Sequence, residues 1–210
     1  MYKTITVIAI LVFTLPGATA GGHNKTRLLK EIRVARDTAL VNAYLALADE
    51  YKLANYDSAF KYARLAETEA LETDYKEGYI EALLKQGNAL YFSNDYEGAM
   101  EYFQKSLEIS ESINNRLLKA KSLERQASVN LMTDNANLAL DLYYRSLMIF
   151  EELEFKPGMA KVYNIIGVYK GEYKQLDSAI SYLEASMQIH TQLTDTYNLI
   201  QNKANLGYVY

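Results

Sequence analysis

A period of forty residues limits what this chain can fold into more than any other feature of it. Ala59, Ala99, Ala139 and Ala179 stand forty apart, and the last three open closely similar runs: Ala99-Met-Glu-Tyr-Phe-Gln-Lys-Ser-Leu-Glu-Ile, Ala139-Leu-Asp-Leu-Tyr-Tyr-Arg-Ser-Leu-Met-Ile and Ala179-Ile-Ser-Tyr-Leu-Glu-Ala-Ser-Met-Gln-Ile. The copy at Ala59 is the most diverged. A second small-residue column, Gly87, Ala127, Gly167 and Gly207, keeps register with the first, and Ala48 takes the same role one residue off. That offset predicts a shorter turn in the first copy. Between the columns lie Asn55, Asp95, Asn135 and Gln175, of which the first three are good helix N-caps that can accept from the free amides of a following helix. Each copy therefore reads as helix, tight turn, helix. A single hairpin cannot bury its apolar face, so a stack of them forms one continuous core.

Apolar residues recur at three and four within the helices, as in Leu83, Gly87 and Leu90 of one and Met100, Phe103 and Leu107 of its partner. This is the spacing of a buried face. Gly or Ala at a helix crossing permits close approach where a larger side chain would force the pair apart. Only two prolines and ten glycines in 210 residues argue against the turn-dense sequence of a propeller of similar period, which leaves an all-α class. HEAT-like helical pairs are the remaining competitor.

The first twenty residues read as an export signal, with Lys3 as the positive start, Ile5 to Leu15 as the apolar run and Ala18-Thr19-Ala20 as the cleavage site. Eleven residues rise only about 16 Å as a helix against roughly 30 Å of hydrocarbon, too short for a membrane anchor. Cleavage after Ala20 and a periplasmic or extracellular location are expected, with no membrane insertion by the mature segment. A formal net charge of −4 gives no global attraction to phosphate backbones, so nucleic acid is not an expected partner. With no cysteine, disulfides and thiolate chemistry are excluded and stability rests on packing.

Gly87 with Asn94-Asp95-Tyr96, Ala99 and Phe103, then Tyr163-Asn164-Ile165-Ile166-Gly167, then Asn205-Leu206-Gly207-Tyr208-Val209-Tyr210 together resemble the tetratricopeptide repeat (TPR), in a forty-residue variant with an extended second helix. The resemblance covers about residues 37 to 210. It departs from the family in lacking tryptophan and in having Pro157 as the sole proline of the repeat region. It implies a right-handed α-solenoid whose first helices line a concave groove, and a function of holding a peptide or protein partner. Behind an export signal, such an array would be an extracytoplasmic interaction scaffold. The alternative it implies is the sensory input region of a larger membrane signalling protein, a sensor histidine kinase or a regulator with a DNA-binding output.

The implied organisation is a signal at 1–20, a lead-in or capping helix at 21–36, repeats at 37–76, 77–116, 117–156 and 157–196, and the first helix of a fifth repeat at 197–210. Because that helix carries the apolar Leu199, Ile200, Leu206, Val209 and Tyr210, where a terminal repeat needs a polar face, the reading frame is expected to continue.

No residue set points to catalysis, a cofactor or a metal. His23 and His190 are far apart and lack further ligands at metal spacing. Glu67 with Glu69 and Glu151 with Glu152 occupy helical positions that do not face one another, and Ser106, Ser146 and Ser186 share one repeat column, as packing residues do. Most of the nineteen tyrosines, among them Tyr56, Tyr96, Tyr102 and Tyr182, repeat in columns and are expected to pack between helices. Candidate groove residues are those of the first helices outside the packing stripe: Lys85, Asn88, Tyr91, Lys121, Arg125, Ser128, Lys161, Asn164 and Tyr208. In this reading Lys85 stacks on Arg125 and Lys121 on Lys161, and the cations favour an acidic or C-terminal peptide segment. Lys121 and Arg125 resemble the basic pair of the TPR carboxylate clamp, but Leu45, Asp49 and Lys85 stand where the clamp would want a lysine and two asparagines. The competing use of the same lysines is pairing with Glu81 and Glu124.

Overall fold

The computed structural model describes residues 18–209, with side chains from residue 24, so most of the signal segment, the His23 side chain and Tyr210 lie outside the described residues. Ten helices follow one another: α1 (Ala18–Glu31), α2 (Asp37–Tyr51), α3 (Tyr56–Glu72), α4 (Lys76–Phe92), α5 (Tyr96–Ser112), α6 (Arg116–Met132), α7 (Ala136–Glu152), α8 (Lys156–Glu172), α9 (Leu176–Gln192) and α10 (Thr196–Val209). Every helix packs on the next, as an α-solenoid requires. Among the described residues, no helix is long and apolar enough to cross a membrane.

The turns show why the period is so regular. From α3 to α9 each helix ends in the same six-residue closure, in which an amide bonds back to the carbonyl five residues earlier: Tyr75 to Ala70 (2.8 Å), Asp95 to Leu90 (2.9 Å), Asn115 to Ser110 (2.9 Å), and so on to Asp195 and His190 (3.0 Å). The residue before each of those donors, Asp74, Asn94, Asn114, Asp134, Glu154, Lys174 or Thr194, has positive φ. This is the Schellman stop, and it satisfies carbonyls that the helix leaves free.

The first hairpin differs, and not as the sequence suggested. Its turn, residues 52–55, is one residue longer than the later turns such as 93–95. The register offset at Ala48 arises instead because α2 has 15 residues where α4, α6 and α8 have 17. Two of the expected caps form, with Asn55 accepting from the Ser58 amide at 2.7 Å and Asp95 from that of Gly98 at 2.9 Å. The side chain of Asn135 does not cap α7; its amide nitrogen donates to the Thr133 hydroxyl at 3.3 Å.

Packing follows the two small columns. Ala59, Ala99, Ala127, Ala139 and Ala179 are fully buried or nearly so. A Cβ on Gly87 would stand 2.8 Å from Phe103 Cδ1, and one on Gly167 would stand 2.8 Å from Leu183 Cγ. First helices of neighbouring hairpins pack directly, α2 on α4, α4 on α6 and α8 on α10, whereas successive second helices make no comparable contact. The inner row is thus tight and the outer row fans out, which curves the stack with the first helices on its concave side.

One junction departs from this pattern. α6 and α8 do not approach as the other first helices do, and α7 lies more sparsely on α8 than α3 does on α4. The cause is a change of side chain. Phe150 occupies the column held by Ala70 and Ser110 in the preceding repeats; its ring is buried, lies tilted against Phe155 with 5.5 Å between ring centres and sits 2.7 Å from where a Cβ on Gly158 would be. A phenyl ring in place of a methyl or hydroxymethyl wedges the third and fourth hairpins apart.

Candidate functional site: the inner row

The cations of the inner row are engaged by acids of the preceding repeat. Lys85 on α4 meets both carboxylate oxygens of Asp49 on α2 at 2.6 Å, Lys121 on α6 meets Glu81 on α4 at 2.5 Å, and Lys161 on α8 meets Glu124 on α6 at 2.7 Å. Asn205 on α10 continues the series by donating to Asn164 on α8 at 2.9 Å. The expectation that Lys85 would stack on Arg125, and Lys121 on Lys161, is therefore corrected, because each lysine turns back to an acid that offsets its charge. Of the competing uses read from sequence, pairing with Glu81 and Glu124 is the one that forms, and it does so across repeats.

Glu124 is the centre of this arrangement. Its side chain is only 5% exposed, and it takes Lys161 on one oxygen and Arg125 Nε at 3.6 Å on the other. Burial raises its carboxyl, but Arg125 and Lys161 outweigh that, with further help from Ser128, and hold it below the usual carboxylate range. The Ser128 hydroxyl bonds to the Glu124 carbonyl at 3.1 Å and to the phenol of Tyr143 on α7 at 3.0 Å. Burial and the Glu124 charge push that phenol well above its ordinary value. Tyr91 on α4 closes the other side; burial raises its phenol, Tyr96 adds to the rise and Arg125 opposes it.

Lys161 feels the opposite balance. Burial, then the Arg125 guanidinium, push its ammonium down to about 8 against the pull of Glu124, and Lys52 at the C-cap of α2 adds to the push. Lys52 is exposed, and its charge reaches Lys161. Two cations share one carboxylate, and the charge of a third acts on the site.

The nine candidates do not form one cluster. Tyr91, Arg125, Ser128 and Lys161 surround Glu124. Lys85 and Lys121 sit in their own ion pairs one repeat earlier, and Asn88 Oδ1 is buried without a hydrogen-bond partner among the described residues. Asn164 belongs to the α8–α10 contact, and Tyr208 on α10 is 62% exposed. Sequence reasoning missed Tyr143 and Lys52. Tyr143 was detectable as the one hydroxyl in a column otherwise filled by Ala63, Phe103 and Leu183, whereas Lys52 gave no sign, since it lies outside the first-helix stripe.

The other sequence readings fall into place around this site. Ser106, Ser146 and Ser186 are buried at helix crossings, with Ser106 bonded to Ser122 at 2.8 Å and Ser186 accepting from Asn202 at 2.6 Å. Tyr56 stacks on Phe92, Tyr96 meets Tyr91 edge-on, Tyr102 meets Phe60 edge-on and Tyr182 lies against Tyr163. His190 is buried with Nδ1 3.3 Å from Asp195 Oδ2. Among the described residues, no three His, Cys, Asp or Glu side chains gather as a metal site.

Comparison with known proteins places this architecture. No family model matches the sequence, and no curated protein matches it. Solved structures do. Aspartyl phosphate phosphatase F from Bacillus subtilis superposes with a TM-score of 0.71 at 18% identity, over 87% of this chain and 48% of that one. BtubC from P. vanneervenii gives 0.68 at 21% identity, over 91% and 80%. A signal-transduction ATPase of the STAND type with a tetratricopeptide repeat sensor, from Pyrococcus horikoshii, gives 0.67 at 15% identity, over 92% and 30%. The fold is that of TPR-like helical-repeat arrays. This chain spans about half the length of the first of these proteins and under a third of the third.

Proposed function

We propose that this chain is a non-catalytic, extracytoplasmic interaction scaffold that holds a peptide or protein segment along its inner row of first helices. The observation that carries the reading is the charge imbalance at the centre of that row, where Arg125 and Lys161 share the single carboxylate of Glu124 and the charge of Lys52 adds to theirs. A segment bringing a carboxylate to this point supplies the missing negative charge in a partly desolvated setting, where such a pair is stronger than at an open surface. Tyr91 offers a partly buried aromatic edge beside it. The polar groups are engaged with one another rather than arranged around a nucleophile, which is why the reading is one of binding and not of catalysis.

The test has two arms. Short peptides ending in a free carboxylate, and the same peptides amidated, are titrated by fluorescence anisotropy against the wild-type protein and a Lys52→Ala/Arg125→Ala variant. Binding that prefers the free carboxylate, weakens with salt and falls in the double variant supports the proposal; equal affinity in all four combinations sinks it. For location, the product is recovered from cells and its N-terminus is sequenced. A start at Gly21 in the extracytoplasmic fraction fits, and retention of Met1 in the cytoplasm does not.

A second reading is favoured by the likeness to a signalling ATPase in which a TPR array is named as the sensor. In that reading the same groove is the input site of a larger signalling protein. A membrane-spanning helix and an output domain in the native reading frame would decide for it.

A further inference from the structure

The outer row holds a cavity that the inner row does not share. It has a volume of about 400 Å³ and lies between the first half of α3 and the C-terminal end of α4, a size at the lower end of the range for ligand sites. The methyl of Ala89 lies at its floor, and the rings of Tyr56 and Phe60 form its walls. Both rings are held by neighbours, Tyr56 stacked on Phe92 with 6.2 Å between centres and Phe60 edge-on to Tyr102 of α5 at 5.9 Å. Lys61 and Arg64 stand at the rim, exposed, and neither makes an ion pair among the described residues. Asp57 is the one acid of the lining, so the rim is net positive in a chain whose formal net charge is −4.

The repeat supplies an internal comparison. Ala89 belongs to a column that elsewhere holds Val129, Tyr169 and Val209, and Ser93, at the edge of the cavity, to one that holds Thr133 and Tyr173. On α8 and just beyond it, Tyr169 and Tyr173 lie together with 4.6 Å between ring centres, two rings where the α3–α4 cavity has a methyl and a hydroxymethyl. The charges differ as well. Lys61 corresponds to Glu101, Asp141 and Ser181, and Arg64 to Gln104, Tyr144 and Glu184. Floor, edge and rim thus depart from the repeat at one place, toward less bulk and toward positive charge. Stacking does not require these choices, since the later copies stack without them.

We infer that this cavity is a second docking site, for an acidic segment of a partner polypeptide that inserts one bulky apolar side chain. The inserted group displaces water from Ala89, Tyr56 and Phe60, and carboxylates flanking it meet Lys61 and Arg64. Successive second helices do not pack closely on one another, so the furrow over the cavity stays open, as a chain passing along it requires. The site stands on a second helix and works independently of the inner row.

The probe is a fluorescein-labelled, amidated nonapeptide with one phenylalanine at its centre among glutamates, titrated by anisotropy. Amidation removes the terminal carboxylate proposed for the inner row. Control peptides carry alanine in place of the phenylalanine, or glutamines in place of the glutamates. The proteins are wild type, Lys61→Glu/Arg64→Gln, Ser93→Tyr and Arg125→Ala. The first two variants place at exposed positions the residues that later repeats carry there, and melting curves verify that the fold is kept. The expected result is saturable binding to wild type and to Arg125→Ala, weakened at least about tenfold with either control peptide and in each of the two cavity variants. Absence of binding to the wild type, undiminished binding to either cavity variant, or loss of binding in Arg125→Ala overturns the inference, the last by placing the peptide in the inner row. Displacement of the probe by phenylacetate as readily as by unlabelled peptide also overturns it, by showing that a small carboxylic acid is the occupant. So does a dimer in sedimentation that dissociates in Lys61→Glu/Arg64→Gln, by showing a second copy on the site.

Discussion

Lys161 on α8 reaches Glu124 on α6 with 2.7 Å between nitrogen and oxygen, across the one junction where the two first helices do not pack directly. The pair replaces backbone proximity with a charged strut, and the space for it comes from Phe150 wedging the hairpins apart behind it. Glu124 is enclosed, whereas about 40% of the Lys161 side chain still reaches solvent from the groove. The two ends of the strut are therefore unequal. Loss of the carboxylate leaves two cations facing each other, while loss of the lysine leaves Glu124 still held by Arg125.

Accordingly, Glu124→Gln should destabilise the fold by about 1 to 3 kcal/mol, below the usual cost of breaking a fully buried pair because Lys161 can turn to water. Glu81→Gln, whose carboxylate is 26% exposed against 5% for Glu124, should cost under about 1 kcal/mol. Urea denaturation of the two variants checks the order. Equal midpoints would show that the centre of the groove is no more buried than its neighbour.

Lys161 also gives a pH signature. Its folded value is lowered to about 8 from the ordinary 10.5, so the unfolded chain holds this proton more tightly than the native one. The penalty is fully present below pH 8, and this group makes stability rise with pH between about 8 and 10.5, by little because the side chain is partly exposed. The direct measurement is NMR of the reductively methylated lysines. One resonance should titrate near pH 8 and vanish in Lys161→Arg; uniform titration near the ordinary value would contradict the site as described.

The small column offers a graded comparison. Gly87→Leu drives a side chain into the Phe103 ring and should cost about 1 to 3 kcal/mol. Glu108→Leu on the exposed side of α5, and Gly207→Leu on α10, should each stay within about 0.5 kcal/mol. Equal melting shifts at Gly87 and Glu108 would mean that the packing stripe has been misassigned.

Phe150→Ala should cost about 3 to 5 kcal/mol, since the ring fills the widened junction and nothing else can. In a structure of that variant α8 should settle toward α6. An unchanged junction would show that the wedge is not what sets its width.

Left-handed φ at residues with a Cβ is a cost that glycine removes. Glu154 has φ 51° and Lys174 φ 57°, and neither side chain is fitted to that region as Asn or Asp is. Glu154→Gly and Lys174→Gly should each raise stability by up to about 1 kcal/mol, offset in part by the added freedom of the unfolded chain. A fall in Tm for both would contradict the assigned turn geometry.

Much of the architecture was legible because it is local and repeated. The columns at Gly87 and Ala99 fix which faces meet, and Asn55 and Asp95 mark where helices begin. The inner row was less legible because its contacts are relations between repeats. Whether Lys121 meets Glu81, forty residues back, or lies beside Lys161, forty residues on, depends on how one hairpin is rotated against the next. Asn135 failed as a cap although Asn55 succeeded, because a cap depends on side-chain rotation as well as on position. The α6–α8 junction was written in the change from Ala70 and Ser110 to Phe150. Residue types alone do not say whether a ring enters a gap or makes one.

Seven successive helix ends share one closure, from Tyr75 bonding Ala70 to Asp195 bonding His190, and none of the seven uses glycine at its left-handed position. The joints are therefore interchangeable parts. Excising or duplicating a stretch of forty residues that begins and ends at equivalent joints leaves the closure of every remaining joint unaltered, and the fitted contacts at risk are the ion pairs of the inner row and the packing of Phe150 on Phe155 and Gly158. Length is then a freely varied property of such a chain, and what a change of length resets is the pattern of charge along the hollow.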